Sequence, residues 1–377
     1  MLAMTPPMGY NTWNTFGNNI NAQLIKETAD AMVDEGLLDA GYKYLVIDDC
    51  WSERQRDPKT DKIIPDHEKF PLGMNDVSDY VHAKGLKFGM YSCAGVRTCA
   101  DYPGSFDHEF LDAETFAEYG CDFLKYDFCF KPSVIDGPLL YKRMGMALKA
   151  SGREILFSAC NWGSDNVGTW IRSTGAHMYR STGDICDNFE SMKNIALSQV
   201  QNYCYSAPGC FNDMDMLTCG MYGKGNVGSS GSNDTDYKTE FTLWCLFGSP
   251  LMIGCDVRKM TPATKALLTN KELIALNQDP ECRGVIDATT HPWDGNKKVF
   301  FRHLANGEYA VGFFNFGDHE GTVPFYTFNA GLVAGCHFGF EMKELFTGEE
   351  TGLVKDYMNP VIEAHGCRIY RAKVVKY

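Results

Sequence analysis

Short apolar runs alternate with stretches of helical periodicity along the first three quarters of the chain. The runs are typical of strands buried on both faces of a sheet, and they lie at residues 8–16, 44–47, 86–91, 121–129, 154–159, 176–179, 209–211 and 251–253. Apolar residues at helical spacing predict helices at residues 23–38, 77–84, 112–119, 139–150, 189–203, 237–247 and 262–277. We expect one more helix between the fifth and sixth strands.

Eight strand–helix alternations predict the fold class of the larger domain. They fit an α/β fold, a (β/α)8 TIM barrel over residues 1–285. An open doubly wound sheet is the alternative. It ranks lower because GxGxxG does not follow the first strand and GxxxxGK[ST] does not occur, and these are the phosphate-binding fingerprints of nucleotide folds.

The pattern changes character after the last predicted helix. Residues 299–303 and 309–314 flank Ala305-Asn306-Gly307-Glu308, which is a strong hairpin signal. Further short strands without helical periodicity continue to the last residue. The sequence therefore predicts a small antiparallel β domain over residues 286–377.

Composition and charge exclude several classes of partner. The formal net charge of -13 repels phosphate backbones and anionic lipid, so nucleic acid and membrane surfaces are not expected partners. The first residues lack a basic start followed by an apolar segment, which leads us to expect a cytoplasmic protein. The 15 cysteines show neither CxxC nor zinc spacing, so neither a zinc module nor a dense disulfide framework is indicated. A homo-oligomer is left open.

Polar and aromatic residues follow nearly every predicted strand. A barrel collects such residues at its C-terminal mouth. The set comprises Trp13, Asp48, Asp49, Tyr91, Lys125, Asp127, Asn161, Trp162, Arg180, Asp184 and Asp215. Carboxylates and cations are partners for vicinal hydroxyls, and aromatic rings offer flat faces to the apolar side of a sugar. The set therefore predicts recognition of a polyol.

Metal binding is the competing interpretation of the acidic residues. Asp48 with Asp49, and Asp213 with Asp215, form acidic pairs. However, no histidine stands at a predicted strand end, HExxH is absent, and Lys125 and Arg180 already supply positive charge. We therefore expect no metal ion.

Glycoside hydrolysis requires two carboxyl groups with different protonation states. One must be an ionised nucleophile and the other an acid that is protonated at the working pH. Asp127 suits the ionised role because the neighbouring cation Lys125 lowers the pKa of a carboxyl. Asp184 is the candidate acid.

Several motifs together make the chain resemble glycoside hydrolase family 27, the α-galactosidase or melibiase family. The matching segments, in order, are PPMGYNTWN from Pro6, IDDCW from Ile47, LKYD from Leu124, RSTGDI from Arg180, NDMDML from Asn212 and NQDP from Asn277. They are spread in order over residues 6–280, and together they are highly specific for that family.

The resemblance implies a barrel followed by a β-sandwich, a retaining mechanism and no cofactor. It implies that Asp127 is the nucleophile and Asp184 the acid/base of a retaining exo-enzyme acting on the α-galactosyl ends of oligosaccharides or glycoconjugates. It further places Asp48 and Asp49 on the 4- and 6-hydroxyls of galactose, Lys125 on the 3- and 4-hydroxyls, Arg180 near the 2-hydroxyl, and Trp13, Tyr91 and Asp215 on the pocket wall. Cys99 and Cys129 match a family disulfide beside the nucleophile.

One departure from the family pattern bears on the sugar. Asn161 stands where α-galactosidases of the family usually have glutamate, and we expect it to face carbon 2. An α-N-acetylgalactosaminidase and a β-L-arabinopyranosidase are the alternatives within the family, and an inactive sugar-binding barrel is the alternative outside enzymes. Because asparagine is only slightly smaller than glutamate, galactose is favoured. Phe128 and Met214 replace an expected asparagine and proline.

Overall fold

Eight parallel strands form the centre of the larger domain. The computed structural model describes residues 2–291 and 293–377, so Met1 and Pro292, which fall in the two expected domain ranges, lie outside the described residues. The strands are β1 (Met8–Asn11), β2 (Tyr44–Val46), β3 (Lys87–Cys93), β4 (Phe123–Asp127), β5 (Leu156–Cys160), β6 (Met178–Arg180), β7 (Phe211–Asp213) and β8 (Leu251–Ile253). Each pairs in parallel with the next from β1 to β7, and β8 pairs with β1.

The sheet closes into a barrel beyond the end of β7. Leu217 N donates to the Met252 carbonyl at 2.8 Å, and Gly254 N donates to the Leu217 carbonyl at 3.0 Å. These two bonds join the β7 segment to β8, so the edge left open by the regular strands is covered. The predicted barrel is confirmed.

Helices cover the outside of the barrel. They are α1 (Trp13–Phe16), α2 (Ala22–Asp34), α3 (Leu37–Ala40), α4 (Met74–Ala83), α5 (Glu109–Glu118), α6 (Gly137–Ala150), α7 (Phe189–Ser198), α8 (Asp234–Phe247), α9 (Pro262–Leu268) and α10 (Lys271–Asn277). Shorter 3-10 helices span Ser164–Thr169, Ile171–Thr174, Val200–Tyr205, Val257–Lys259 and Thr327–Ala330. Among the described helices, none is long and apolar enough to cross a bilayer.

Local side-chain chemistry explains where the predicted elements were wrong. The first strand stops at Asn11, not residue 16, because Asn11 Oδ1 accepts a 2.9 Å bond from Trp13 N and starts a helical turn. The helix expected between β5 and β6 is replaced by 3-10 turns, since Asp165 and Asn166 adopt positive φ angles. The helix predicted over residues 262–277 is two helices, and the Asn270 side chain caps the second.

The C-terminal part of the chain is antiparallel throughout. Its strands are β9 (Ile286–Asp287), β10 (Lys297–His303), β11 (Tyr309–Asn315), β12 (Gly321–Thr322), β13 (Phe325–Tyr326), β14 (Phe338–Glu344), β15 (Glu350–Val354), β16 (Tyr357–Met358), β17 (Val361–Ile362) and β18 (Cys367–Lys376). Six of them form one sheet in the order β15-β14-β18-β11-β10-β9. The predicted hairpin is β10 with β11, in which Phe301 pairs with Val311.

The β domain docks on the C-terminal end of α8. Arg302 on β10 is fully buried, and its Nη1 donates to the carbonyls of Cys245 and Leu246, both at 3.2 Å. A cation is favoured at a helix C-terminus because the unpaired carbonyls there carry partial negative charge. Phe247 and Phe300 add an edge-to-face contact with ring centroids 5.2 Å apart. The two domains therefore share a buried interface.

Candidate active site

A cavity of about 70 Å³ lies at the C-terminal ends of the barrel strands. Among the site residues that the sequence analysis named, those on the cavity wall are Trp13, Asp48, Asp49, Tyr91, Cys99, Lys125, Asp127, Trp162, Arg180, Asp184 and Asp215. Four further residues complete the lining, namely Asn14, Cys160, Met216 and Val227. Met216 also belongs to the cluster of apolar side chains inside the barrel, so that cluster reaches the cavity.

Lys125 and Asp48 form a buried ion pair on one wall. Lys125 Nζ lies 2.8 Å from Asp48 Oδ2, which also accepts a 2.7 Å bond from Asn11 Nδ2. Burial opposes the charge on Lys125, but the nearby carboxylates of Asp48 and Asp127 outweigh that effect and raise the pKa of the ammonium. Lys125 therefore remains protonated.

Asp127 ends β4 and accepts two hydrogen bonds. Phe128 N donates to Oδ1 at 2.9 Å, and the Tyr91 hydroxyl donates to Oδ2 at 3.0 Å. Burial raises the pKa of Asp127 to about 6, although Lys125 acts to lower it. The lowering expected from Lys125 is therefore present but is outweighed by burial. The carboxyl is largely ionised at neutral pH.

Asp49 is held by the backbone on both of its oxygens. Oδ1 accepts from Cys50 N at 2.7 Å and Oδ2 accepts from Ala100 N at 3.0 Å. Burial raises the pKa of this carboxyl, and these two bonds oppose the rise. Ala100 follows Cys99, so the loop after β3 is anchored to the end of β2.

The disulfide implied by the family resemblance is present. Cys99 and Cys129 are bonded, with Cα atoms 5.2 Å apart. A carboxylate oxygen of Asp127 lies within 4.8 Å of both sulfur atoms. That trio has metal-ligand residue types, but both sulfurs are committed to the disulfide. The bridge therefore fixes the loop beside Asp127.

Arg180 links Asp184 to Asp215 on the opposite wall. Its Nη1 lies 2.9 Å from Asp215 Oδ1, and its Nη2 lies 3.1 Å from Asp184 Oδ1. Arg180 and Asp215 are buried, whereas 71% of the Asp184 side chain is exposed. Asp215 Oδ2 also accepts from Ile185 N at 2.8 Å. The segment that carries Asp184 is thus bonded to the end of β7.

Comparison with known proteins decides the family. The family model described as Alpha galactosidase A matches residues 5–279, and the one described as Alpha galactosidase C-terminal beta sandwich domain matches residues 294–372. The chain belongs to the α-galactosidase family, glycoside hydrolase family 27. An alpha-galactosidase of Oryza sativa subsp. japonica is 40% identical over 372 residues, which is 98% of this chain and 85% of that protein.

Solved structures of the family agree in fold. Alpha-galactosidase I from Mortierella vinacea has a TM-score of 0.89 at 32% identity, covering 98% of this chain and 97% of that one. The alpha-galactosidase of Saccharomyces cerevisiae with raffinose has a TM-score of 0.88 at 27% identity, covering 99% and 98%. A β-L-arabinopyranosidase from Geobacillus stearothermophilus, at 23% identity and a TM-score of 0.86 over 98% and 97%, shares the fold.

The family position at Asn161 does not face the cavity as expected. Asn161 is fully buried, its Nδ2 donates to the Ser164 carbonyl at 2.9 Å, and it is not among the described residues that line the cavity. Its neighbours Cys160 and Trp162 line the wall instead. Side chains of a strand alternate between its two faces. Cys160, the last residue of β5, points into the barrel, and the next residue, Asn161, therefore points away from it.

Some of the cavity-wall residues that the sequence analysis missed could have been found from a sequence pattern, and others could not. The inward alternation of β5 was a usable signal for Cys160. Val227 had none, because it reaches the wall on a long loop whose Asn226 N and Val227 N donate to the Asn14 carbonyl at 2.7 and 3.2 Å. Of the expected residues, Cys129 is not among the described residues on the wall, although its disulfide partner Cys99 is.

Proposed function

We propose that this family member is a retaining α-galactosidase that releases terminal α-D-galactosyl residues from oligosaccharides or glycoconjugates. The observation that carries the proposal is one cavity whose wall holds both carboxyl groups, Asp127 and Asp184. Asp127 is buried and held by two donors, whereas Asp184 is largely exposed beside Arg180. Retaining glycosidases need such a pair, one group as nucleophile and the other as acid and then base.

In the first step Asp127 forms a covalent bond to the sugar. Its carboxylate oxygen attacks the anomeric carbon while the bond from that carbon to the leaving oxygen breaks. Asp184 donates its proton to the leaving oxygen, so the aglycone departs as a neutral alcohol. The product of this step is a galactosyl ester of Asp127 and an ionised Asp184.

In the second step water replaces Asp127. Asp184 accepts a proton from the water, whose oxygen attacks the anomeric carbon as the ester bond breaks. Galactose leaves with its original α configuration, because the anomeric carbon has been inverted twice. Asp127 is again ionised and Asp184 again protonated.

Polar groups on one wall are suited to hold the sugar hydroxyls. We assign Asp48, Asp49 and Lys125 to the 3-, 4- and 6-hydroxyls, with charge-assisted hydrogen bonds that orient the ring. Trp13 and Trp162 line the same cavity and offer apolar faces. Arg180 and Cys160, whose Nη1 and Sγ lie 3.9 Å apart, are assigned to the side of carbon 2.

Galactose is proposed in preference to N-acetylgalactosamine because side chains already occupy the cavity wall beside the proposed carbon 2 position. They are those of Cys160, Trp162 and Arg180. An acetamido group is much larger than a hydroxyl and needs additional space there. The alternatives are an α-N-acetylgalactosaminidase and a β-L-arabinopyranosidase, and a panel of aryl glycosides that differ only in the sugar separates the three.

Proton NMR of the first product tests the whole proposal. An aryl α-galactoside is mixed with the protein and the anomeric signals are followed before mutarotation. We expect α-galactose first. Release of β-galactose first contradicts the retaining mechanism, and absence of turnover with retained galactose binding favours the inactive sugar-binding barrel.

A further inference from the structure

Asp187, three residues after Asp184, connects the acid/base segment to the loop between β7 and α8. Its buried carboxylate accepts bonds from Gly223 N at 2.6 Å and Ser232 N at 3.3 Å. The Tyr237 hydroxyl lies 2.9 and 3.1 Å from its two oxygens. Asp187 N also donates to the Val227 carbonyl at 3.2 Å. One side chain therefore holds a loop that lines the cavity.

The bonding pattern requires a carboxylate at this position. Backbone N–H groups, which can only donate, bond to both carboxylate oxygens, Gly223 N to Oδ2 and Ser232 N to Oδ1, and among the described residues no cation forms an ion pair with Asp187. Burial raises the pKa of Asp187, and the bonds from Gly223 and Tyr237 oppose that rise. An asparagine offers one acceptor oxygen and turns its NH₂ group toward another donor. The nearly isosteric amide thus breaks the connection.

The C-terminal domain contacts the neighbouring first turns of α7 and α8 through His365. Its ring stacks on Phe189, the first residue of α7, with centroids 3.6 Å apart and planes 3° apart. Its Nδ1 lies 2.9 Å from Asp236 Oδ1 in the first turn of α8, and its carbonyl accepts from Thr239 Oγ1 at 2.6 Å. His365 therefore contacts the beginnings of both helices, and its partner Asp236 directly precedes Tyr237, which bonds to Asp187.

We propose that the C-terminal domain takes part in the reaction by positioning Asp184, with His365 and Asp187 as the positioning residues. The inference rests on the proposed acid/base role of Asp184. That side chain is 71% exposed and its hydrogen bond within the protein is to Arg180, so its placement depends on the segment around it. His365 holds the first turns of α7 and α8 in place. Asp187 in turn bonds the segment that carries Asp184 to α8 and to the loop before it. A misplacement of about 1 Å costs on the order of 100-fold in rate.

The test compares two leaving groups. Methyl α-galactoside needs proton donation to its leaving oxygen, whereas 2,4-dinitrophenyl α-galactoside has a leaving group that departs without it. We expect Asp187→Asn to lower kcat/KM for the methyl glycoside by about 10-fold more than for the dinitrophenyl glycoside. His365→Ala should show the same selectivity with a smaller loss. A change of fold stability alone lowers both rates equally.

Two further variants keep the test decisive. Phe346→Ala removes another contact of the β domain with α8, where Lys238 Nζ lies 4.2 Å from the Phe346 ring centroid, and we expect no selectivity from it. Tyr237→Phe removes the hydroxyl that bonds to Asp187 and accepts from Tyr222 N at 2.6 Å, and it decides the question if Asp187→Asn does not fold. Equal losses on both glycosides, or no loss, overturn the proposal. Absence of activity in the unaltered enzyme instead removes the proposed function itself, and this inference with it.

Discussion

The hydroxyl of Tyr91 donates a 3.0 Å hydrogen bond to Asp127 Oδ2. This bond favours the ionised carboxylate, because it acts to lower a pKa that burial has raised to about 6. Tyr91→Phe should therefore move the acidic limb of the kcat/KM profile to higher pH. It should also lower kcat/KM at neutral pH by about 10-fold, the effect of losing one bond to a charged group. Rates measured from pH 4 to 8 check both, and an unmoved limb contradicts the assignment of Asp127.

Asp127→Asn should abolish turnover and keep sugar affinity, because the amide is nearly isosteric and cannot form the glycosyl ester. It should also stabilise the free protein at neutral pH. Folding raises the pKa of the Asp127 carboxyl to about 6. The contribution of this group to the stability of the folded protein is therefore fully present below its unfolded pKa and is lost as the pH rises through about 6.

Thermal unfolding measures that second effect. The variant should unfold at a higher temperature than the unaltered protein at pH 7, by the equivalent of about 1–2 kcal/mol, and the difference should shrink as the pH falls and vanish below about pH 3. A variant that is less stable at pH 7 shows that burial does not dominate at Asp127.

Asp184→Asn should separate the two steps of the reaction. It should lose about 10²–10⁴-fold on substrates whose leaving group requires protonation, and much less with an activated aryl leaving group. Added azide should restore turnover of the galactosyl enzyme, since azide attacks without a general base, and should give a galactosyl azide. The same profile for Asp184→Asn and Asp127→Asn contradicts the assigned roles.

Cys160 and Asn161 should differ in their effects on substrate binding. Cys160→Val adds volume to a narrow wall, so the KM for an aryl α-galactoside should rise by about 10-fold. Asn161→Ala removes a buried amide that bonds to the Ser164 carbonyl, so its effect should fall mainly on stability. Steady-state kinetics and thermal unfolding of both variants test this. If Asn161→Ala raises the KM more than Cys160→Val does, then Asn161 faces carbon 2 of the sugar, as the sequence analysis expected.

Reduction of the disulfide should destabilise the protein and slow the reaction. The bridge spans 30 residues, for which closure of the unfolded chain corresponds to about 3–4 kcal/mol. Cys99→Ser should lower the unfolding temperature and kcat/KM together, because Cys99 lines the cavity. Cys336→Ser, at a free and partly exposed cysteine of the β domain, is the matched control. The cytoplasmic location expected from the sequence stays a prediction, and the thiol content of the protein isolated from its own cells tests it.

Sequence by itself determined the architecture and predicted the candidate reacting groups. Short apolar runs and helical patterns identify elements because burial dictates them locally, and eight alternations leave few topologies. Lys125 and Asp127 stand at the end of one strand, so their meeting at the barrel mouth follows from the fold class alone. The motifs around Asp48, Arg180 and Asp184 pointed to the same cavity for the same reason.

Tertiary structure alone decided register, burial and distant contacts. Because successive side chains at the end of β5 point to opposite faces, Cys160 lies on the cavity wall and Asn161, one position later, does not. The net pKa shift of Asp127 depends on how deeply the fold buries the carboxyl. That depth cannot be inferred from the presence of Lys125 two positions earlier in the sequence. Asp187 and Gly223 are 36 positions apart, and His365 comes from the other domain. Such contacts carry no local pattern, because they arise only when separate segments pack against one another.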